Sequence, residues 1–204
     1  MAINVANNNS LSAITSLPSG VSGGSMNLIS TQTASSSATI SFTNNIDSTY
    51  KEYIFKFYDV HPATDAAEFQ FQADTGTNTN YNQTITSTMF TAYNYESGSD
   101  QSLGYFSSFD QAQGTAFQNL QSNVSNDSDN SVCGTLKIFE PSSSVFVKHF
   151  IANTNSMQPD GSDRLQHNHY TAGYFNTQTA LTRFQFKFSS GNMDAGVIKL
   201  YGIS

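Results

Sequence analysis

The stretch YKEYIFKFYDV at residues 50–60 constrains the fold more than any other. Its large side chains alternate with period two. Tyr53, Phe55 and Phe57 fall on one side, and Ile54, Lys56 and Tyr58 on the other. That period belongs to a β-strand, and a strand with so aromatic a face needs a second layer to cover it. The same patterning recurs at 26–33, 38–44, 68–73, 83–95, 133–139, 145–154, 167–177, 180–189 and 196–203, separated by polar turns. This predicts roughly nine to eleven strands in a single antiparallel β-sandwich over residues 26–204, of jelly-roll type.

Composition supports that reading. Charged residues make up 11% of the chain and aromatics 13%, with 16 Phe and 10 Tyr; Ser, Thr, Asn and Gln fill most of the rest. Aromatic and Thr-rich segments suit a pleated, half-buried surface, and chains this aromatic do not stay disordered. Residues 1–25, MAINVANNNSLSAITSLPSGVSGGS, lack the alternation and read as an extended arm that docks on a neighbour.

Some segments are read otherwise. His61-Pro62-Ala63-Thr64-Asp65 is expected to end the strand at 50–60, because proline lacks a donor and restrains the residue before it. Residues 74–82 and 123–130 read as polar loops, and DQAQGTAFQNLQ at 110–121 as a short helix capped by Asp110 and weakened by Gly114.

Charge excludes several partners. The net charge is −7, and the 8 Lys and Arg form no stripe, so neither nucleic acid nor an anionic lipid surface is an expected partner. No apolar run approaches the ~20 residues of a membrane span, and no signal peptide is read at the N-terminus. The one cysteine, Cys133, excludes an intrachain disulfide and is expected to be a small buried hydrophobe beside Val132.

Candidate chemistry is sparse. His167 and His169 share one face of a strand; the pair suits a transition metal if a third ligand lies opposite, or a polar, solvent-facing stripe. Asp127-Ser128-Asp129-Asn130 opens like a calcium loop, but Val132 and Ile138 stand where an EF-hand needs Gly and Glu, so an Asx-rich turn is expected. His61, Asp65 and a serine make a hydrolytic triad only on paper, without a nucleophile elbow. The 15 acids show no spacing that singles out a glycosidase pair, and no phosphate-binding Gly motif is present. The expectation is therefore no catalytic centre, no metal and no cofactor. Tyr81, Tyr93 and Tyr95 lie in or near polar loops, as does Tyr105, and the first three are the candidate ligand-binding residues, suited to stacking under a sugar ring.

SLPSGVSGGSMNLIS, YKEYIFKFYDVHPATD, IFEPSSSVFVKHFI and GYFNTQTALTRFQFKFSSGNMDAGVIKLYGIS together make the chain resemble small virion structural proteins of phages that infect marine bacteria. The resemblance covers nearly the whole length, and none of its elements is a catalytic motif. It implies a non-enzymatic virion component: part of a tail fibre or appendage, or capsid decoration. It also implies other virion proteins as partners and a homo-oligomer, with a trimer favoured. The alternative is a carbohydrate-binding module for host attachment on the same particle; a depolymerase is a third reading. No residue roles transfer from the resemblance.

Overall fold

The computed structural model describes residues 25–160 and 163–204. The arm expected at 1–25 therefore lies outside the described residues except for Ser25. Thirteen strands run in chain order: β1 (Met26–Thr33), β2 (Ile40–Phe42), β3 (Glu52–Pro62), β4 (Ala67–Thr75), β5 (Ile85–Tyr95), β6 (Gln101–Tyr105), β7 (Ala112–Gly114), β8 (Gln118–Val124), β9 (Val132–Phe139), β10 (Lys148–Asp160), β11 (Asp163–Phe175), β12 (Leu181–Phe188) and β13 (Met193–Ile203). They form two packed antiparallel sheets. The larger has nine strands in the order β1-β13-β3-β9-β10-β11-β5-β6, with β7 also on β5. The smaller has the order β2-β12-β4-β8. The fold is an all-β sandwich, as the alternation predicted. The number of strands exceeds expectation because short edge strands occupy residues 96–130.

The period-two reading of residues 50–60 accounts for the core. Tyr53, Phe55 and Phe57 of β3 point inward and are buried, and they meet Phe42, Phe69, Phe71, Phe184 and Phe186 of the small sheet. Phe186 sits at the centre. Its ring lies 5.0 Å from Phe55, 5.3 Å from Phe57, 6.0 Å from Phe69, 6.1 Å from Phe42 and 6.4 Å from Phe71, in edge and stacked geometries that suit ring quadrupoles. Toward β8 the interior turns polar. Gln118, Gln121 and Ser122 face Ser87, Thr154, His169 and Thr171, all buried. Thr154 Oγ1 donates to the Leu120 carbonyl, and Ser87 Oγ donates to Gln118 Oε1 at 2.6 Å.

The structure corrects several local expectations. Residues 110–121 are not a helix: a 3-10 turn at Ser107–Phe109 leads to β7 and then β8. Gln118 and Gln121 of that stretch are buried strand residues whose amides are hydrogen-bonded, Gln118 to Ser87 and the Phe109 carbonyl, Gln121 to Thr154 and the His167 carbonyl. His61 and Pro62 continue β3 rather than ending it. Pro62 is the last residue of the strand, opposite Met193, where a missing donor costs least. β4 likewise runs on through Asp74 and Thr75. Cys133 is exposed rather than buried, because Val132 takes the inward position and alternation turns Cys133 out. Its thiol lies 3.4 Å from Asp59 Oδ1; partial burial first, and then this carboxylate, raise its pKa.

β3 bulges at Asp59, which has φ 49°, and β13 answers with Gly196 at φ 118°. A Cβ on Gly196 would stand 2.6 Å from Val60 Cα and 2.7 Å from the Asp59 carbonyl, so only glycine lets the two bulged strands close. The ends of the described domain meet: the Ser204 N–H donates to the Ser25 carbonyl, and β1 pairs with β13 from Met26↔Ile203 onward.

Candidate functional site

β5 and β11 continue past the aromatic core, and their inward faces open into a cleft. Along β5 the inward residues Ile85, Ser87 and Met89 are buried, while Thr91, Tyr93 and Tyr95 are half-buried. β11 sets Leu165, His167 and His169 alongside them. Tyr93, Tyr95, Phe106, Asn123, Gln158 and His167 line most of the cleft, which encloses about 300 Å³. The Tyr93 and Tyr95 rings meet edge to face at 5.9 Å, and Tyr93 stands 6.3 Å from the His167 ring. The Tyr93 hydroxyl donates to Asp100 at 3.1 Å, a bond that raises its pKa.

Behind the tyrosines lie the two histidines. They share a face, but that face points inward, so the solvent-facing stripe is not what forms. His167 and His169 have the same parity as the buried Leu165, Thr171 and Phe175. His167 Nε2 and His169 Nε2 are 3.0 Å apart, and Ser122 Oγ is 3.3 Å from His169 Nε2. Two nitrogens at that distance share one proton in a hydrogen bond, so both rings cannot carry a proton on Nε2. Burial lowers the His167 pKa to about 4. For His169 burial first, and then His167, lower it to about 3. Among the described residues no group of three or more His, Cys, Asp or Glu side chains is arranged to hold a metal ion.

Tyr81 does not join the cleft. It is buried on the far loop, where Asp74 accepts hydrogen bonds from the N–H groups of Thr75 and Tyr81 and from the Gln83 amide. Tyr105 is exposed on β6, its hydroxyl bonded to Asp110. The structure thus brings together two of the three tyrosines singled out from sequence, and adds His167, Asn123 and Gln158. Asn123 and Gln158 carry no sequence signal. The inward turn of His167 was readable from its parity with Leu165 and Phe175.

The second group of titratable residues lies at the β8–β9 loop, beside a hollow of about 510 Å³ lined in part by Asp59, His61, Asp129, Asn130 and Asp194. His61 Nδ1 bonds Asp194 Oδ1 at 2.7 Å and Nε2 bonds the Asp127 carbonyl at 3.0 Å. Both ring nitrogens are occupied, and neither partner is a serine. Asp65 instead accepts from the Asn126 N–H. The triad assembled from sequence therefore does not form. Desolvation pulls the His61 pKa down, but the bonds to Asp194 and Asp127 outweigh it and the net direction is up. Arg164 reaches Asp129 at 2.9 Å and ties this loop to β11.

No protein-family model, no curated protein and no solved structure matches the chain.

Proposed function

We propose that the chain is a non-enzymatic structural protein of a phage virion, built on a jelly roll and carried on the particle surface as a fibre, appendage or decoration component. The strand order carries this reading. β1-β13-β3-β9 of the large sheet can be matched with β2-β12-β4-β8 of the small one, with the chain of these eight strands changing sheet at β1→β2→β3→β4 and at β8→β9→β12→β13. β5–β7 and β10–β11 then enter as additions that widen one sheet. Such an order supports a jelly roll, an architecture of capsid and lectin domains. The capture of both His61 nitrogens by Asp194 and Asp127 supports scaffolding rather than hydrolysis. Together with the resemblance of the sequence to phage structural proteins, these features favour a virion part. Quantitative mass spectrometry of purified particles encoding the chain tests the reading. Many copies per particle are expected; absence from particles whose infected cells contain the protein would refute it.

One observation favours a second reading, host-glycan recognition at the cleft: two tyrosine rings and the amides of Asn123 and Gln158 line the same cavity. Aromatic faces with amides beside them are suited to pyranose rings. Tyr93→Ala is then expected to weaken binding to host polysaccharide about tenfold, or ~1.4 kcal/mol, with thermal stability kept. A parent protein that ignores the polysaccharide at millimolar sugar leaves scaffolding alone.

A further inference from the structure

The outer face of the large sheet, on the side away from the small sheet, carries an apolar surface that no other described residue covers. Leu103 is 72% exposed and Tyr105 64%, both on β6. Beside them stand Phe90 of β5 and Tyr170 of β11, their rings stacked at 4.8 Å and 12°. The register places Tyr105 opposite Phe90 and Phe90 opposite Tyr170, so the residues make one ridge across neighbouring strands. Next to the ridge, on the same face, is a hollow of about 480 Å³ with mostly apolar walls. Thr88, His149, Ile151, Ala172 and Tyr174 line it, and the small Ala172 makes its depth.

We infer that this face pairs with the same face of a second copy about a two-fold axis, the ridge of each copy seated in the hollow of the other. Three observations select a second copy as the occupant. First, ridge and hollow are adjacent on one surface. A two-fold contact joins a patch to itself and needs both features on it. Because both point the same way, they engage only when two faces oppose. A ring of three copies would need them on different sides.

Second, charge leaves this surface open to a like-charged partner. β5, β6, residues 149–157 of β10 and residues 165–175 of β11 contain no Asp, Glu, Lys or Arg. Each copy has a net charge of −7, yet these strands bring no side-chain charge to the contact; Asp110, bonded to the Tyr105 hydroxyl, and Lys137, opposite Ile151, stand at its margins. Depletion of charge with aromatic enrichment is the composition of an interface core.

Third, the size is adequate. Four strands at ~4.8 Å spacing, each with three or four outward residues, cover roughly 20 by 25 Å, so pairing removes on the order of 1,000 Å² from water. That is the lower limit of specific contacts, and a weak dimer with a dissociation constant in the micromolar range is expected. The inference goes beyond the virion reading and stands apart from it, since copies that do not pair can still be built into particles.

Sedimentation equilibrium of the full chain from about 1 to 100 µM tests it. A reversible monomer–dimer equilibrium is expected. Leu103→Glu on the ridge and Ala172→Glu in the hollow are each expected to weaken it by about 30-fold or more, because each buries an unpaired carboxylate against the apolar surface of the other copy. Both sites are exposed, so circular dichroism and melting temperature should stay at parental values. A monomer throughout, a trimer, or a dimer indifferent to either substitution overturns the proposal. So does a monomer that binds neutral polysaccharide through this face and loses it with Leu103→Glu.

Discussion

Phe186→Ala is expected to cost about 3–5 kcal/mol of folding stability. Phe186 is fully buried and its ring meets five others, drawn from both sheets. Truncation removes the transfer free energy of the ring and leaves a hole that the surrounding strands resist closing, because each is held by its neighbours in the ladder. Edge-to-face contacts with Phe55 and Phe57 add about 0.5–1.5 kcal/mol each beyond area burial. Against a total of about 5–15 kcal/mol for a typical domain, the loss is a large fraction and can unfold the protein at growth temperature. Urea unfolding should show a lower midpoint with an unchanged slope. Phe90→Ala, which removes a half-exposed ring on the outer face, is the control and should cost under ~1 kcal/mol. Similar losses for the two variants would mean that the core is not centred on Phe186.

The second large effect is expected on acidification. His167 and His169 have an ordinary value of 6.5 in the unfolded chain and about 4 and about 3 in the folded one. Below pH 6.5 the unfolded chain takes up protons that the folded chain refuses. Stability therefore falls as pH falls, by up to about 1.4 kcal/mol per pH unit for each histidine. The loss runs from 6.5 down to about 4 for His167 and about 3 for His169, and sums to several kcal/mol.

The groups facing the pair do not offset this. Ser122 and Gln121 from β8 and Thr154 from β10 carry no charge, and Tyr93 is a phenol. His61 acts in the opposite sense. Its folded value is raised by Asp194, so its contribution is present at acid pH and lost as pH rises through the raised value. Asp47 is held down by Thr49 and Asp129 by Arg164, and both lose their contributions only near and below 3.8. Unfolding free energies measured between pH 6.5 and about 4 thus report mainly on the pair. The slope should flatten in a His167→Gln/His169→Gln double variant. A double variant as acid-sensitive as its parent would show that the buried imidazoles are not the source.

Legibility followed the strength of the alternation. Tyr53, Phe55 and Phe57, and Phe184, Phe186 and Phe188, were readable because each set puts aromatics at every second position, and these are the walls of the core. β8 was not. Its apolar residues, Leu120 and Val124, are four apart, which mimics a helix, while Gln118, Gln121 and Ser122 are buried through hydrogen bonds that no hydrophobic pattern encodes. β6 and β7 lie at the sheet margin, where packing selects little. At the histidines and Cys133 alternation, not residue type, decides which side faces the core. Val132 inward turns Cys133 outward, and Phe175 inward carries His167 and His169 inward with it. Of the cleft, Tyr93 and Tyr95 were visible; Asn123 and Gln158 arrive from strands distant in sequence.

The meeting of Ser25 and Ser204 has a mechanical consequence. A load drawing the two ends of the described domain apart acts where β1 and β13 begin their pairing, across the ladder rather than along it. The strands would part like a zip, one hydrogen-bonded pair after another, at low force. A tether through one end only, with the pull taken up elsewhere on the sandwich, would instead shear many pairs at once and meet far greater resistance.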